Sequence, residues 1–231
     1  MENNNKATTA VITMVIGALL GGGIGYASGN SRGKESAKSD STTSMSQSSP
    51  NTNTKSAGLR ALLNNLEAEH VDLASTATRA GFDGASSFAA AADSLGRNTD
   101  NLAAAIGSVY GAEAGAKFKQ IWASHIGFFV DYTVAAKKGD KAGMDKAVQN
   151  LNGYVEAISS FLSGANPNLP KGAVAQLVTE HVGLLKEAVD TYGAGNFAGS
   201  FDAQSRARTQ ITTKIADTLA GAIVKQSPDK F

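Results

Sequence analysis

The sequence predicts an all-α fold: a six-helix bundle of three repeated antiparallel helical hairpins, preceded by one N-terminal transmembrane helix. Three observations predict it. Apolar residues recur with helical spacing from residue 57 to the C-terminus, and no alternating β-branched runs compete with that pattern. The chain has three histidines, His70, His125 and His181, which follow one another at intervals of 55 and 56 residues in similar surroundings. This spacing indicates a threefold internal repeat. An uncharged run of 21 residues also stands near the N-terminus.

The uncharged run occupies residues 7–27, after a short polar tail of residues 1–6. It is long enough to cross a bilayer as a helix. It is also longer than the apolar core of most signal peptides, so we expect a retained anchor or an uncleaved signal. Cleavage near Ala27 is the alternative. Glycines recur at every fourth position and form a flat ridge that favours self-association of the anchor. They are Gly17, Gly21, Gly25 and Gly29.

Residues 28–56 are rich in Ser, Thr, Asn and Lys and nearly free of apolar residues, which predicts a disordered tether. Membrane orientation has signals in both directions. Basic residues after the anchor favour a cytoplasmic domain. The very short N-terminal tail and the Ser/Thr-rich tether favour export. We predict a single-pass protein of the cell membrane, on the bacterial cell surface, with its domain on the extracytoplasmic side.

The predicted domain covers residues 57–231, with repeats at about 57–110, 111–165 and 166–231. In each repeat the residues four before the histidine and three, four and seven after it are apolar. Positions with this spacing share one face of a helix. The three histidines are therefore predicted to lie within the apolar stripe of their helices rather than on the solvent side.

A glycine near residue 81, 139 or 193–195 is predicted to end each histidine helix, and a second amphipathic helix follows. Short links of this kind make each pair an antiparallel hairpin. The predicted core positions of the second helices are Phe88, Ala92, Leu95, Leu102, Ile106 and Val109, then Met144, Val148, Leu151, Val155, Ile158 and Leu162, then Phe201, Ile211, Ile215, Leu219 and Ile223.

Composition excludes several functions. A net charge of +1 offers no field to attract nucleic acid. The absence of Cys excludes disulfides, thiolate metal sites and a Cys nucleophile. No recognisable catalytic set of residues occurs. We therefore predict a non-catalytic binding or interaction module rather than an enzyme.

The histidines support two interpretations. Three equivalent imidazoles that meet near a pseudo-threefold axis can hold copper or zinc and leave one position open. In that case His70, His125 and His181 are the ligands of a metal-binding protein or of a redox enzyme. Alternatively, each is a core residue satisfied by a hydrogen bond across its hairpin, with Asn98 or Arg208 as the buried partner. Duplication copies either arrangement equally well.

Glu67-x-x-His70 matches half of a ferritin-like di-iron site. The other two repeats have Trp122 and Val178 at the position of the glutamate, which argues against di-iron chemistry. Among the three histidines, His125 has the bulkiest neighbours. We expect it to be dehydrated, neutral and held in one tautomer by a hydrogen bond.

The segments LEAEHVDLA, HIGFFVDYTVAA, SGANPNLP and AIVKQSPDKF together resemble a group of exported bacterial helical proteins that are sometimes labelled copper amine oxidases. The resemblance runs from about Leu59 to the C-terminus and implies an exported helical domain. Copper amine oxidases form their quinone cofactor from an Asn-Tyr-Asp/Glu motif and use a His-x-His pair. Neither motif occurs in this chain, so the resemblance implies no amine oxidase activity and no catalytic residue.

Overall fold

The structure, a computed structural model, describes residues 52–231. The predicted tail, anchor, glycine ridge and most of the tether lie outside the described residues. Within residues 52–231, no helix is both long enough and apolar enough to span a bilayer.

Regular structure in the described part of the chain is entirely helical, which confirms the predicted helical bundle. The elements are α1 (Lys55–Asp83), α2 (Phe88–Tyr110), α3 (Ala112–Lys138), α4 (Lys141–Ala165), α5 (Lys171–Gly193), α6 (Phe197–Gln210), a π-helix (Ile211–Ala216), α7 (Asp217–Gln226) and a 3-10 turn (Pro228–Lys230). The π-helix joins α6 to α7 without a break, so these three segments form one rod, called here the last helix.

The histidine helices α1, α3 and α5 contact one another at the centre, and each second helix lies between two of them. Helix α2 packs against α1 and α3, and α4 packs against α3 and α5. The last helix packs against α5 and returns to α1. The three hairpins therefore close into a ring, and one core forms along its axis. The helix breaks after Tyr110 and Ala165 coincide with the predicted repeat boundaries.

Local capping explains most helix ends. Thr54 accepts a hydrogen bond from the Ala57 N–H, so α1 begins two residues before the predicted domain boundary at 57. Gly139 ends α3 with φ +67°, as predicted. Gly81 does not end α1. It lies inside the helix, where a Cβ would come 3.1 Å from the Phe88 ring, and Gly84, with φ +69°, ends the helix instead.

The predicted core positions of the second helices are buried or half-buried, with one exception. Phe201 is 60% exposed, so its assignment to the core was wrong. Helix α6 instead buries Ala203 and Ala207 fully. Phe201 precedes Ala203 by two residues, which turns it to the outside of the helix. There the Arg79 guanidinium lies 4.1 Å from its ring centroid.

Candidate functional site

The three histidines meet at the centre of the bundle. The ring centroid of His70 lies 5.4 Å from that of His125 and 6.2 Å from that of His181. Their exposed fractions are 1%, 3% and 5% for His70, His125 and His181. The prediction that they lie in the apolar stripes is confirmed, and the ring of hairpins brings all three together rather than leaving each in a separate hairpin.

Their present ring orientations do not form a chelating set. His70 is tilted by 55° against His125 and by 40° against His181. Among residues 52–231, no group of three or more His, Cys, Asp or Glu side chains is arranged to hold a metal ion. The histidines are thus adjacent, but their nitrogens have no common focus in these orientations.

Glu67 belongs to the same centre. It precedes His70 by three residues on the same face of α1 and is 2% exposed. Burial raises the pKa of its carboxyl to about 8. Its Oε2 has no hydrogen-bond partner in the described part of the chain. Glu67 also acts on Tyr154: burial raises the pKa of that phenol well above 10, and the nearby carboxylate charge raises it further.

Gln210 determines the tautomer of His181. Its Nε2 donates to the Leu177 carbonyl at 2.9 Å, and a carbonyl can only accept. The side-chain amide is therefore oriented with Oε1 towards His181, whose Nδ1 lies 3.2 Å away. Because Oε1 also only accepts, Nδ1 must carry the proton, and Nε2 of His181 presents a bare lone pair. That Nε2 is buried and has no partner within residues 52–231.

Asn98 occupies the corresponding place in the first hairpin. It is buried, as predicted, but it does not bond to His70. Its Nδ2 donates to the Leu66 carbonyl at 2.9 Å and to Glu69 Oε2 at 2.8 Å. As far as the structure describes the chain, Asn98 Oδ1 and both ring nitrogens of His70 are buried without partners.

Arg208, the other predicted buried partner, was assigned wrongly. It is exposed and its Nε lies 3.3 Å from Asp72 Oδ2. Gln210, two residues later, faces the core because it continues the stripe of Ala203 and Ala207 on α6. Within residues 52–231, His181 is the only histidine with a buried hydrogen bond across its hairpin.

Aromatic rings support the middle histidine. The Tyr154 ring stacks on His125 with centroids 4.4 Å apart and planes at 24°. Trp122 meets both His125 and His70 edge-on at 4.9 Å. Nδ1 of His125 and Nε1 of Trp122 are buried without partners in residues 52–231. The expected dehydration of His125 is confirmed. Tyr154 stacks on its ring, and a hydrogen bond with the Trp122 backbone raises its pKa against the effect of burial.

Burial makes the centre electrically neutral. It lowers the pKa of His125 to about 3 and of His181 to about 4, and it lowers the pKa of His70 well below 6.5. Mutual repulsion adds to this effect: His181 acts on His125, and both act on His70. At neutral pH the three imidazoles are therefore uncharged and Glu67 is mostly protonated.

Seven of the ten buried side-chain atoms without a partner in residues 52–231 belong to this centre and its supporting residues. Each one costs roughly 1–3 kcal/mol when buried without a partner, and native proteins contain few of them. A concentration around three histidines therefore indicates a place where a ligand, an ion or water supplies the missing contacts. The atoms are Glu67 Oε2, both ring nitrogens of His70, His125 Nδ1, His181 Nε2, Trp122 Nε1 and Asn98 Oδ1.

A cavity of 50 Å³ opens beside this centre, between α1, α2, α3 and α5. His70 and His125 line it at one end. The rest of its wall is largely apolar and extends to Phe88 and to Val134, which is 44% exposed.

Sequence reasoning named the three histidines but not Tyr154 or Gln210. A signal for both exists in the repeat itself. Asn98, Tyr154 and Gln210 follow His70, His125 and His181 by 28, 29 and 29 residues. Glu67 was noticed only as half of a di-iron motif, because neither of the other repeats carries a carboxylate at that position.

Comparison of the chain with protein-family models, with curated proteins and with solved structures finds no match.

Proposed function

We propose that the protein is a membrane-anchored, extracytoplasmic binding module whose ligand is a copper or zinc ion. His70, His125 and His181 would bind the ion and Glu67 would complete the ligand set, without catalysis. One observation carries the proposal: the three neutral imidazoles lie together, Glu67 is buried three residues before His70, and each of these four side chains has at least one buried nitrogen or oxygen without a partner in residues 52–231.

The separation of the histidine rings supports metal binding. An ion that binds imidazole nitrogens at about 2 Å with tetrahedral angles holds the ring centroids roughly 5 Å apart. The observed separations of 5.4 and 6.2 Å are close to this value. Binding would require rotation of the rings about their side-chain torsions and movement of His181 towards the other two rings, so that the nitrogens face a common point.

Protonation also supports it. Metal ligands must be deprotonated, and burial already keeps the three imidazoles neutral. Gln210 holds the Nδ1 proton of His181 and leaves Nε2 available, which is the usual support for a metal-bound histidine. A divalent ion would favour ionisation of Glu67, so one proton should leave the protein when the metal binds.

The ligand set favours copper or zinc over harder ions. Imidazole suits both metals, whereas Mg²⁺ and Ca²⁺ prefer a shell of oxygen atoms. A site without thiolates and with one carboxylate is expected to follow the general order of affinity, in which Cu²⁺ binds more tightly than Zn²⁺.

Calorimetric titration of the metal-free full-length chain in detergent tests the site. Wild type should bind one Cu²⁺ or Zn²⁺ per chain and release about one proton, which is visible as a dependence of the heat on the buffer. His70→Ala and His181→Ala should each weaken binding by more than the roughly 10–100-fold that loss of a supporting group costs. Glu113→Gln, which changes an exposed carboxylate in the first turn of α3, is the control. Equal binding by wild type and both histidine variants would contradict the proposal.

Thermal unfolding with and without a strong chelator separates metal binding from a purely structural role. If metal holds the centre, chelation should lower the melting temperature of protein isolated with its metal and leave His125→Ala unaffected. If chelation changes nothing while His125→Ala lowers the melting temperature, the histidines act as core residues only.

The anchoring part of the proposal rests on the uncharged run at residues 7–27. Protease treatment of intact cells should release a fragment that contains the bundle, because the tether is expected to be accessible. Protection of the bundle until the membrane is broken would reverse the proposed orientation.

A further inference from the structure

The cavity beside the histidines has an apolar wall and a polar end. Its wall includes Ala74, Ala77, Leu95, Phe129, Leu185 and Val189, contributed by four helices. Three hydroxyl side chains line the wall. Ser75 Oγ is buried without a partner in residues 52–231, whereas the two threonine hydroxyls are already committed to their own helices. Thr78 donates to the Ala74 carbonyl at 2.9 Å, and Thr133 donates to the Phe129 carbonyl at 2.8 Å. These threonines therefore offer little hydrogen bonding to an occupant.

The polar end carries unused hydrogen-bonding capacity. His70 lines the cavity, is 1% exposed, and has no partner at either ring nitrogen in the described residues. His125 lines the same end, and its Nδ1 is likewise unpartnered within residues 52–231. A neutral imidazole has one donor and one acceptor nitrogen, so its natural partner is a group that can both give and take a hydrogen bond.

The volume limits the occupant. A single water needs about 10–15 Å³ of such space, so 50 Å³ accommodates three or four heavy atoms. Waters alone would leave the apolar wall in contact with polar molecules that it cannot satisfy.

We propose that this cavity binds a short primary alcohol, with its hydroxyl at His70 and its alkyl group against Ala77 and its neighbours on the wall. A hydroxyl both donates and accepts, and a chain of two or three carbons matches the apolar length. The site shares His70 with the proposed metal centre but does not rest on it, because the hydrogen bond requires only the free imidazole. A ligand of this size binds with a dissociation constant on the order of 1–10 mM.

Propan-1-ol is the probe, and NMR of the metal-free full-length chain in lipid nanodiscs is the measurement. We expect saturable shifts of the His70 ring and the Val130 methyl signals, and nuclear Overhauser contacts from the propyl chain to the Ala77 methyl group. Propane-1,3-diol has the same carbon length but must bury a second hydroxyl against the apolar wall. It should bind roughly tenfold more weakly.

Two variants test the apolar wall and the polar end of the cavity separately. Ala77→Val fills the cavity and should weaken propan-1-ol binding roughly tenfold or more. His70→Leu keeps an apolar surface but removes the hydrogen bond, and should weaken binding about 2–10-fold. Ala123→Val, at an exposed position of α3 away from the cavity, is the matched control and should bind as wild type does. The spectrum of each variant reports directly whether it is folded.

Shifts that grow linearly without saturation, or that persist unchanged in folded Ala77→Val, would overturn the inference. So would contacts from the His70 ring to water alone at saturating propan-1-ol. None of these results depends on metal: calorimetry with Cu²⁺ succeeds or fails separately, so failure of the alcohol site and failure of the metal site are distinguishable.

Discussion

The first and third hairpins support their histidine helices through amides, whereas the middle hairpin uses an aromatic ring. Asn98 and Gln210 each donate to the carbonyl of the residue four before the histidine, Leu66 or Leu177. At the same place in the middle hairpin, Tyr154 stacks on His125. The corresponding carbonyl of Ile121 is taken by Ser124 from the same helix, at 2.7 Å.

The comparison shows that one position in the repeat has three different consequences for the histidine. Gln210 is long enough to reach both the carbonyl and the imidazole, so His181 has a defined tautomer. Asn98 is one methylene shorter and reaches the carbonyl but not His70. Tyr154 restrains the plane of His125, whose Nδ1 has no partner among the described residues. The pseudo-symmetry of the backbone is therefore not a symmetry of hydrogen bonding.

The largest expected effect is on how the free energy of unfolding depends on pH. All three hairpins carry a histidine and only the first carries Glu67, and the two kinds of group act in opposite directions. The histidines have lowered pKa values in the fold, to about 3 for His125 and about 4 for His181, against 6.5 when unfolded. Below pH 6.5 the histidines bind more protons in the unfolded chain than in the folded protein, so acid destabilises the fold. Glu67 has a raised pKa of about 8, so its contribution is present below its unfolded value of 4.5 and is lost as pH rises through 8.

At pH 5 the histidines outweigh Glu67 by about two protons, so the free energy of unfolding of the metal-free protein should rise with pH by roughly 3 kcal/mol per unit. Above about pH 7 the sign reverses, and the titration of Glu67, partly offset by that of the histidines, lowers it by roughly 0.6 kcal/mol per unit between about pH 7.5 and 8. Urea denaturation at several pH values measures both limbs. Glu67→Gln should flatten the alkaline limb, and the exposed Glu113→Gln should not. A maximum far from pH 6.5–7 would show that the centre is hydrated.

Next in size is the aromatic support of the middle hairpin. Tyr154 is 4% exposed and packs flat on His125, so Tyr154→Ala should lower the free energy of unfolding by about 3–5 kcal/mol. Tyr154→Phe keeps the ring and should cost much less. Chemical denaturation of both variants checks this. If Tyr154→Phe destabilises the protein as much as Tyr154→Ala does, the hydroxyl rather than the stacking supports His125. The middle hairpin would then rely on a polar group, as the other two do.

The two amides should differ in what their loss does. Gln210→Met frees the Leu177 carbonyl and the Nδ1–H of His181 and should cost about 2 kcal/mol. Asn98→Leu frees only the Leu66 carbonyl and the Glu69 carboxylate, and it should leave the His70 ring signals in place. Nitrogen-15 spectra of the imidazoles distinguish the tautomers. Loss of the Nδ1–H signal of His181 in Gln210→Met is expected. Its persistence would mean that another group sets the tautomer.

The smallest expected effect has the opposite sign. Both ring nitrogens of His70 are buried without partners in the described part of the chain, so His70→Leu removes an uncompensated polar group. The metal-free variant should be as stable as wild type or more stable by about 1 kcal/mol, while its metal affinity falls. Paired denaturation and calorimetry test the combination. A large loss of stability without metal would show that His70 has a structural partner.

Periodicity sufficed to predict the helices and the burial of His70, His125 and His181, because burial of an apolar stripe is a local property of each helix. Whether the three hairpins close around one axis depends on how the helices pack. The sequence pattern therefore allows the three imidazoles to meet but does not require it. Phe201 was misassigned because it precedes Ile211 by ten residues, and ten residues of the α-helix Phe197–Gln210 turn a side chain about 80° away from that position.

The supporting residues escaped prediction for a different reason. Asn98, Tyr154 and Gln210 share a position but not a chemical type, so a search for shared chemistry between repeats passes over them. Glu67 has no counterpart in the other repeats, where Trp122 and Val178 stand. Its burial could be recognised only once the ring of helices surrounded it, because an isolated α1 would leave the carboxyl in water.

Both ends of the described chain lie together, and the cavity lies towards the other end of the bundle. Thr52 to Leu62 contact the same groove as Lys230 and Phe231, whereas the cavity wall extends along α1 to Gly81. A helix rises 1.5 Å per residue, so roughly 40 Å of α1 separate Lys55 from Gly81. A tag, a surface or a bilayer attached through the N-terminal segment would therefore be joined to the end of the bundle opposite the cavity, so the attachment itself would not obstruct the cavity.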